Sequence, residues 1–212
     1  MDGAILDVRR RRFLMGAAVA TVGAIGLRAP PAFTAEIVGT ANAVRGTALR
    51  RRDGREEGLR AGSSVLDRDT VATGEESFAD LMLGGDTRIL LGSLTELLID
   101  RFIAGQGGTL ELGGGQMVFD RPEGLPKVDL AVRTTFGMIG VRGTKFFCGP
   151  SRGVFAVFVE HGRVSVEGGG ATRMVGAGEG VDIAAPGSVP TVPARWGEAR
   201  IREAYASAGL PG

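Results

Sequence analysis

From Ile37 onward, apolar residues recur at every second position, the pattern that turns one face of a β-strand toward a core. Val38, Val44, Thr47 and Leu49 mark a pair of short strands hinged near Gly46. Gly62 and Gly74 bracket a short strand with a turn at Asp67-Arg68-Asp69. Ser77, Ala79, Leu81 and Leu83 share one face of the next strand and Asp80 takes the other. Gly84-Gly85-Asp86 supplies a hairpin turn, and Ile89 to Leu91 return. After Gly92-Ser93, a strand spans Leu94 to Ile99, another carries Leu110 and Leu112, and Met117 to Phe119 follow a run of glycines. Asp120 to Lys127 holds Pro122 and Pro126. Such a stretch cannot sit in a central strand, so it reads as a loop, in position to act as a flap over one end. Val128 to Thr135 alternates again, whereas Val154 to Val159 (VFAVFV) is apolar on both faces and predicts the most buried strand. Glu160 to Arg163 turns the chain, Val164 and Val166 alternate, and Gly176 to Gly180 turns it once more before Val181 to Ala184.

Turn signals thus arrive about every eight to twelve residues, the spacing of an all-β sandwich, roll or solenoid. The expected fold is all-β: a single glycine-rich antiparallel domain over residues 36–185. Residues 186–212 form a Pro-rich connector and tail, with Trp196, Ile201, Tyr205 and Ala208 near helical spacing. That predicts a short helix docked on a sheet edge or offered to a partner. Composition agrees, since 36 of the 212 residues are glycine, against roughly 7% in average proteins, and they follow no collagen period.

The N-terminus has a different character. Arg9 to Arg12 precede an uncharged run that ends before Arg28, shorter than the ~20 residues a stable membrane span needs. A basic start, a weakly apolar Gly/Ala-rich run and small residues at Ala32 and Ala35 make a secretory signal over residues 1–35. Within it, Arg10, Arg11, Phe13 and Leu14 resemble the twin-arginine export motif. The expected location is therefore periplasmic or otherwise extracytoplasmic, with an uncleaved membrane anchor as the alternative. Cleavage near Ala35 leaves a chain close to neutral.

The formal net charge of +1 gives no steering toward nucleic acid. Reactive groups are few: one cysteine (Cys148), one histidine (His161), one tryptophan (Trp196) and one tyrosine (Tyr205). A lone cysteine makes no internal disulfide and no multi-cysteine zinc site, and its place after Phe146-Phe147 reads as a buried thiol. Neither a cofactor motif nor a metal set is legible. Glu75-Glu76 reads as a solvated turn, His161 as a surface residue of a hairpin turn, and Arg50-Arg51-Arg52, before the Asp53-Gly54 turn, as a solvated hairpin tip.

The pieces in this order resemble the FecR domain family. They are Ile37-Val38-Gly39 through Val44-Arg45-Gly46, the stretch with Gly62, Asp69-Thr70-Val71 and Thr73-Gly74, the Ser77-Ala79-Leu81 strand, Val141-Arg142-Gly143-Thr144, His161-Gly162-Arg163-Val164, and Gly176 to Val181. The resemblance implies an exported β-rich domain that works by protein contact in the cell envelope and not by catalysis. It makes Gly62, Asp69, Thr73, Gly74, Val141, Gly143 and Gly162 structural motif positions. The best-known members carry a cytoplasmic domain before a membrane segment and a further domain after the FecR region. Here only Met1 to Arg12 precede the apolar run and only Ala184 to Gly212 follow Ile183, so the expectation is the domain without those flanking parts.

The VRGT block supplies the candidate binding residues, Arg142 and Thr144. One reading puts Arg142 on an anion such as a carboxylate, phosphate or uronic acid. The other makes the block a backbone corner: Gly140 and Gly143 supply conformational freedom, Arg142 satisfies carbonyls or a turn carboxylate such as Asp69, and Thr144 bonds across strands. No base or carboxylate pair stands nearby in sequence to make Arg142 catalytic. The functional expectation is a non-catalytic protein-interaction or signal-sensing module with an envelope partner. A polysaccharide-binding module is the alternative, weakened by the scarcity of Trp and Tyr for stacking on sugar rings.

Overall fold

The computed structural model of the protein describes residues 36–210. The expected signal segment, with Arg10, Arg11, Phe13 and Leu14, lies outside the described residues. The period-two segments become strands. In chain order these are β1 (Ile37–Arg45), β2 (Ala48–Arg52), β3 (Arg55–Gly58), β4 (Ser64–Leu66), β5 (Thr70–Thr73) and β6 (Phe78–Leu83). There follow β7 (Thr87–Leu91), β8 (Glu96–Ile103), β9 (Gly107–Gly114), β10 (Met117–Asp120), β11 (Asp129–Thr134) and β12 (Gly137–Val141). The last strands are β13 (Lys145–Ser151), β14 (Val154–His161), β15 (Arg163–Gly168), β16 (Ala171–Gly176), β17 (Glu179–Ile183) and β18 (Ala194–Arg195), before the helix α1 (Glu198–Ser207).

The strands form two nine-stranded sheets. One runs β18-β17-β14-β13-β10-β7-β6-β1-β4 and the other β16-β15-β12-β11-β9-β8-β5-β2-β3. Sequence number climbs almost steadily along both, so the chain advances by laying strands alternately in one sheet and the other. Inward side chains of both, such as Leu81, Ile89, Phe119 and Val157 from the first and Val71, Ile99, Leu110 and Val164 from the second, meet in one core. The alternation read from the sequence is the burial pattern: along β6, Ala79, Leu81 and Leu83 are buried and the residues between them are not.

One pairing departs from the antiparallel expectation: β11 lies parallel to β9. The reason is a matter of parity. Neighbours elsewhere in the sheets are joined directly or enclose an even number of strands, so the chain returns reversed. Between β9 and β11 only β10 intervenes, as a single strand in the opposite sheet. The proline-bearing loop after Asp120 gives β10 no hairpin partner, and the chain re-enters the second sheet running the way it left. A second correction concerns Leu94, which stands in a turn with φ of 51° and 66% exposure, so β8 begins at Glu96 and not at Leu94.

The helix sits on a face and not on a sheet edge. Leu90, Val118, Phe147 and Phe158 are register partners across β7, β10, β13 and β14, and all four point away from the main core. Tyr205, Ala204 and Ala208 close over this row, with Trp196 and Ile201 alongside. Phe158 stacks on Trp196 at 5.0 Å between ring centroids. This cover explains why VFAVFV is apolar on both faces. Polar ties hold the helix in place: Gln116 Nε2 donates to the Ser207 carbonyl at 2.8 Å, and Arg200 donates to Asp182 at 2.6 Å.

Candidate functional site: the Arg142 corner

β12 ends at Val141 in one sheet and β13 begins at Lys145 in the other. Arg142, Gly143 and Thr144 therefore carry the chain around an end of the sandwich. The sharp change of direction is made at Gly143, whose φ of 66° lies in the left-handed region that favours glycine. Thr144 is fully buried and turns its methyl toward Gly162. A Cβ at Gly162 would stand 2.6 Å from Thr144 Cγ2 and 2.9 Å from the Gly143 carbonyl oxygen. The backbone N–H of Arg121 donates to the Thr144 carbonyl at 3.1 Å, tying the proline loop to the corner. The expected cross-strand bond of Thr144 is not made, because Oγ1 has no hydrogen-bond partner among the described residues. Thr144 braces the corner by packing and does not reach a ligand surface.

Arg142 behaves differently from both roles expected of it as a structural residue. Its side chain is exposed, and it neither caps a carbonyl nor pairs with Asp69. It lines a groove of about 780 Å³ together with Lys127, Asp129, Gly140, Arg163, Ser165 and Met174. Register explains the assembly. Gly140 of β12 stands opposite Ser165 of β15, and Ser165 opposite Met174 of β16, so two of the smallest side chains and a methionine form one cross-strand row. Arg142 and Arg163 follow the next row along, where Val141 pairs with Val164. The cations thus rim a floor kept low by small residues. Gly140 does not adopt a positive φ, so the backbone freedom expected of it is not used.

Asp69, the carboxylate that sequence reasoning offered to Arg142, is taken by the supposed hairpin tip. Its side chain is fully buried. Arg52 Nε donates to Oδ1 at 2.8 Å, the Leu66 N–H donates to Oδ2 at 2.8 Å, and Arg50 Nε lies 3.7 Å away. Arg52 also donates to the Asp67 carbonyl and Arg50 to the Ser64 carbonyl. Arg50 and Arg52 are therefore structural cations, correcting the solvated-tip reading, while Arg51 pairs with Glu56 and Glu96 on the surface. The remaining motif positions serve turns. The Gly62 N–H donates to the Ala41 carbonyl and the Gly74 N–H to the Thr47 carbonyl, each at 2.8 Å. Thr73 Oγ1 donates to the Gly92 carbonyl at 2.6 Å and accepts from the Thr95 N–H at 2.9 Å. Val141 is buried in the main core.

The isolated reactive groups have settled environments. Cys148 is a free thiol with no exposure, and burial pushes its pKa far up. His161 Nδ1 is 3.5 Å from Glu123 Oε1, a partner supplied by the proline loop that sequence reasoning had not found. Glu75 and Glu76 are exposed on their turn. Among the described residues, no three His, Cys, Asp or Glu side chains gather as a metal set.

Residues 69–165 match the family model described as FecR protein. The matched stretch, a little under half of the chain, contains Asp69, Thr73, Gly74, the VRGT corner and Gly162; Gly62 falls outside it. No curated protein matches the chain. Two solved structures of a protein described as a "putative anti-sigma factor", from Parabacteroides distasonis ATCC 8503, at 1.65 and 2.50 Å resolution, share the fold. Each superposes with a TM-score of 0.50 at 18% identity, over 59% of this chain and 59% of that one. The likeness therefore spans about three-fifths of those chains.

Proposed function

We propose that the chain is an exported, non-catalytic FecR-type module that acts in envelope signalling through protein contact at the Arg142 groove. The observation that carries the reading is the groove itself. Lys127, Arg142 and Arg163 converge on one exposed hollow of the FecR stretch, and none of them is held in an ion pair among the described residues, whereas Arg50 and Arg52 are. A surface with cations left free is available to a partner. Among the described residues, Ser165 is the one hydroxyl lining the groove, and no hydrogen bond links it to Lys127 or Asp129 as a nucleophile would be linked to its base. The family match and the fold shared with a protein described as an anti-sigma factor support a signalling role. The twin-arginine-like segment supports export.

A photo-crosslinking residue placed at Met174, which lines the groove and is 55% exposed, tests the contact in living cells. The control is the same residue at Val192, 74% exposed and not part of the groove. The expected result is a discrete protein adduct from position 174 alone. Adducts from both positions, or from neither, contradict the reading. Export is tested separately by cell fractionation: Arg10→Lys/Arg11→Lys is expected to strand the protein in the cytoplasm, and unchanged export removes the twin-arginine element of the proposal.

A further inference from the structure

We infer that the groove takes an acidic, extended segment of a partner protein, with carboxylates on Arg142 and Arg163 and the partner's backbone across the Gly140–Ser165 floor. This rests on the protein-contact reading above and adds the chemistry of the partner. Three cations and one carboxylate, Asp129, line the hollow, so its charge favours an anion. Two arginines matter more than two generic charges, because a guanidinium fork matches a carboxylate in geometry as well as in sign.

The floor argues for a polypeptide. Glycine inside a strand often marks a bulge, a tight bend or close approach by a ligand or another backbone, and the register on both sides of Gly140 runs without a bulge. Gly140 is such a residue: it has no positive φ, and a Cβ there would meet only the Ser165 side chain, its movable Oγ at 2.5 Å and its Cβ at 3.9 Å. Met174 at the far end of the same row offers an adaptable apolar contact, as does Met138, 40% exposed on the neighbouring part of β12. None of the residues lining the groove is aromatic, so the platform that sugar rings stack on is missing. An acidic polysaccharide would find the charge and lack the stacking surface.

The test uses the full chain and three probes followed by fluorescence anisotropy: a labelled peptide alternating Glu with Leu, its Gln counterpart, and a labelled oligogalacturonate. The expected result is binding of the Glu peptide, at least about tenfold tighter than the Gln peptide. Arg142→Glu/Arg163→Glu is expected to weaken it by at least about tenfold, with the unfolding midpoint unchanged. Arg55→Glu/Arg60→Glu, an equal charge change at exposed sites outside the groove, is expected to bind as the unaltered protein does. Equal binding of the Gln peptide, equal loss in the control variant, or capture of oligogalacturonate in preference to the peptide overturns the inference. If Met174 still crosslinks to a protein while the Glu peptide fails, the acidic chemistry falls and the protein-contact reading stands.

Discussion

Two corners of this molecule use arginine in opposite ways. At the first, Arg50 and Arg52 converge on the buried carboxylate of Asp69 and on the carbonyls of Ser64 and Asp67. A hollow of about 420 Å³ lies there, yet Arg50 and Arg52 in its wall are engaged by the protein itself. At the second, Arg142 and Arg163 rim a hollow of about 780 Å³ and hold no carboxylate among the described residues. The difference lies in the backbone. The Asp67–Asp69 turn folds a carboxylate inward, where its removal from water has to be offset by bonds to the charged form. The Arg142 corner is closed by Gly143, Gly162 and the methyl of Thr144, which satisfy it without charge. Where packing and glycine geometry complete a turn, a neighbouring arginine is left for other work.

The largest loss is expected at Asp69. Asp69→Ala removes the carboxylate shared by two half-buried guanidinium groups, which keep only the Ser64 and Asp67 carbonyls and Glu57, and leaves the Leu66 N–H without its acceptor; it is expected to cost about 3 kcal/mol, read as a drop in the urea midpoint. A loss below about 1 kcal/mol would mean that the first corner is no more than a surface ion pair. Gly162→Ala comes next. The left-handed φ of 83° and the approach to the Gly143 carbonyl predict a loss of about 1–3 kcal/mol, and a neutral result would show that the second corner is not held by glycine packing.

Cys148 reports on the same corner with a smaller signal. It lies on β13, which starts at the corner, and its thiol is fully buried. Alkylation of the native protein is expected to be slow, to quicken in Gly162→Ala, and to stay slow in Arg142→Ala. Fast labelling of the unaltered protein contradicts the packing described. Because burial holds the native thiol protonated, the unfolded chain releases that proton first as pH rises through about 9. This group's contribution to stability is therefore complete below that pH and declines above it. Cys148→Ala should flatten that part of the stability–pH curve, and an unchanged slope would assign it to other groups.

Much of the fold was legible because period-two patterning is local. Ala79, Leu81 and Leu83 could be assigned to the core from their spacing alone, and VFAVFV announced a strand covered on both sides. What covers its outer side was not legible. The Leu90–Val118–Phe147–Phe158 row exists only once four strands are in register, so the tail's helix could be expected but its seat on a face could not. The parallel β9–β11 pairing was hidden for the same reason, although Pro122 and Pro126, which leave β10 without a hairpin partner, stood in plain view.

The candidate site was half legible. VRGT drew attention to Arg142, but Asp69 was assigned to the wrong arginine. Its partner Arg52 is 17 residues away in sequence, and nothing local distinguishes a cation that folds back from one that does not. Arg163 and Ser165 carried a faint signal, following the glycine of the turn beside the corner. Lys127, Asp129 and Met174 carried none, because only the order of β11, β12, β15 and β16 brings them to one groove.

A groove proposed for contact has to be spare to the fold. Urea unfolding of Arg142→Ala/Arg163→Ala tests it most directly. The expected stability lies within about 0.5 kcal/mol of the unaltered protein; a loss above about 1.5 kcal/mol would make these arginines structural, like those at Asp69, and leave Lys127 as the groove's one free cation among the described residues.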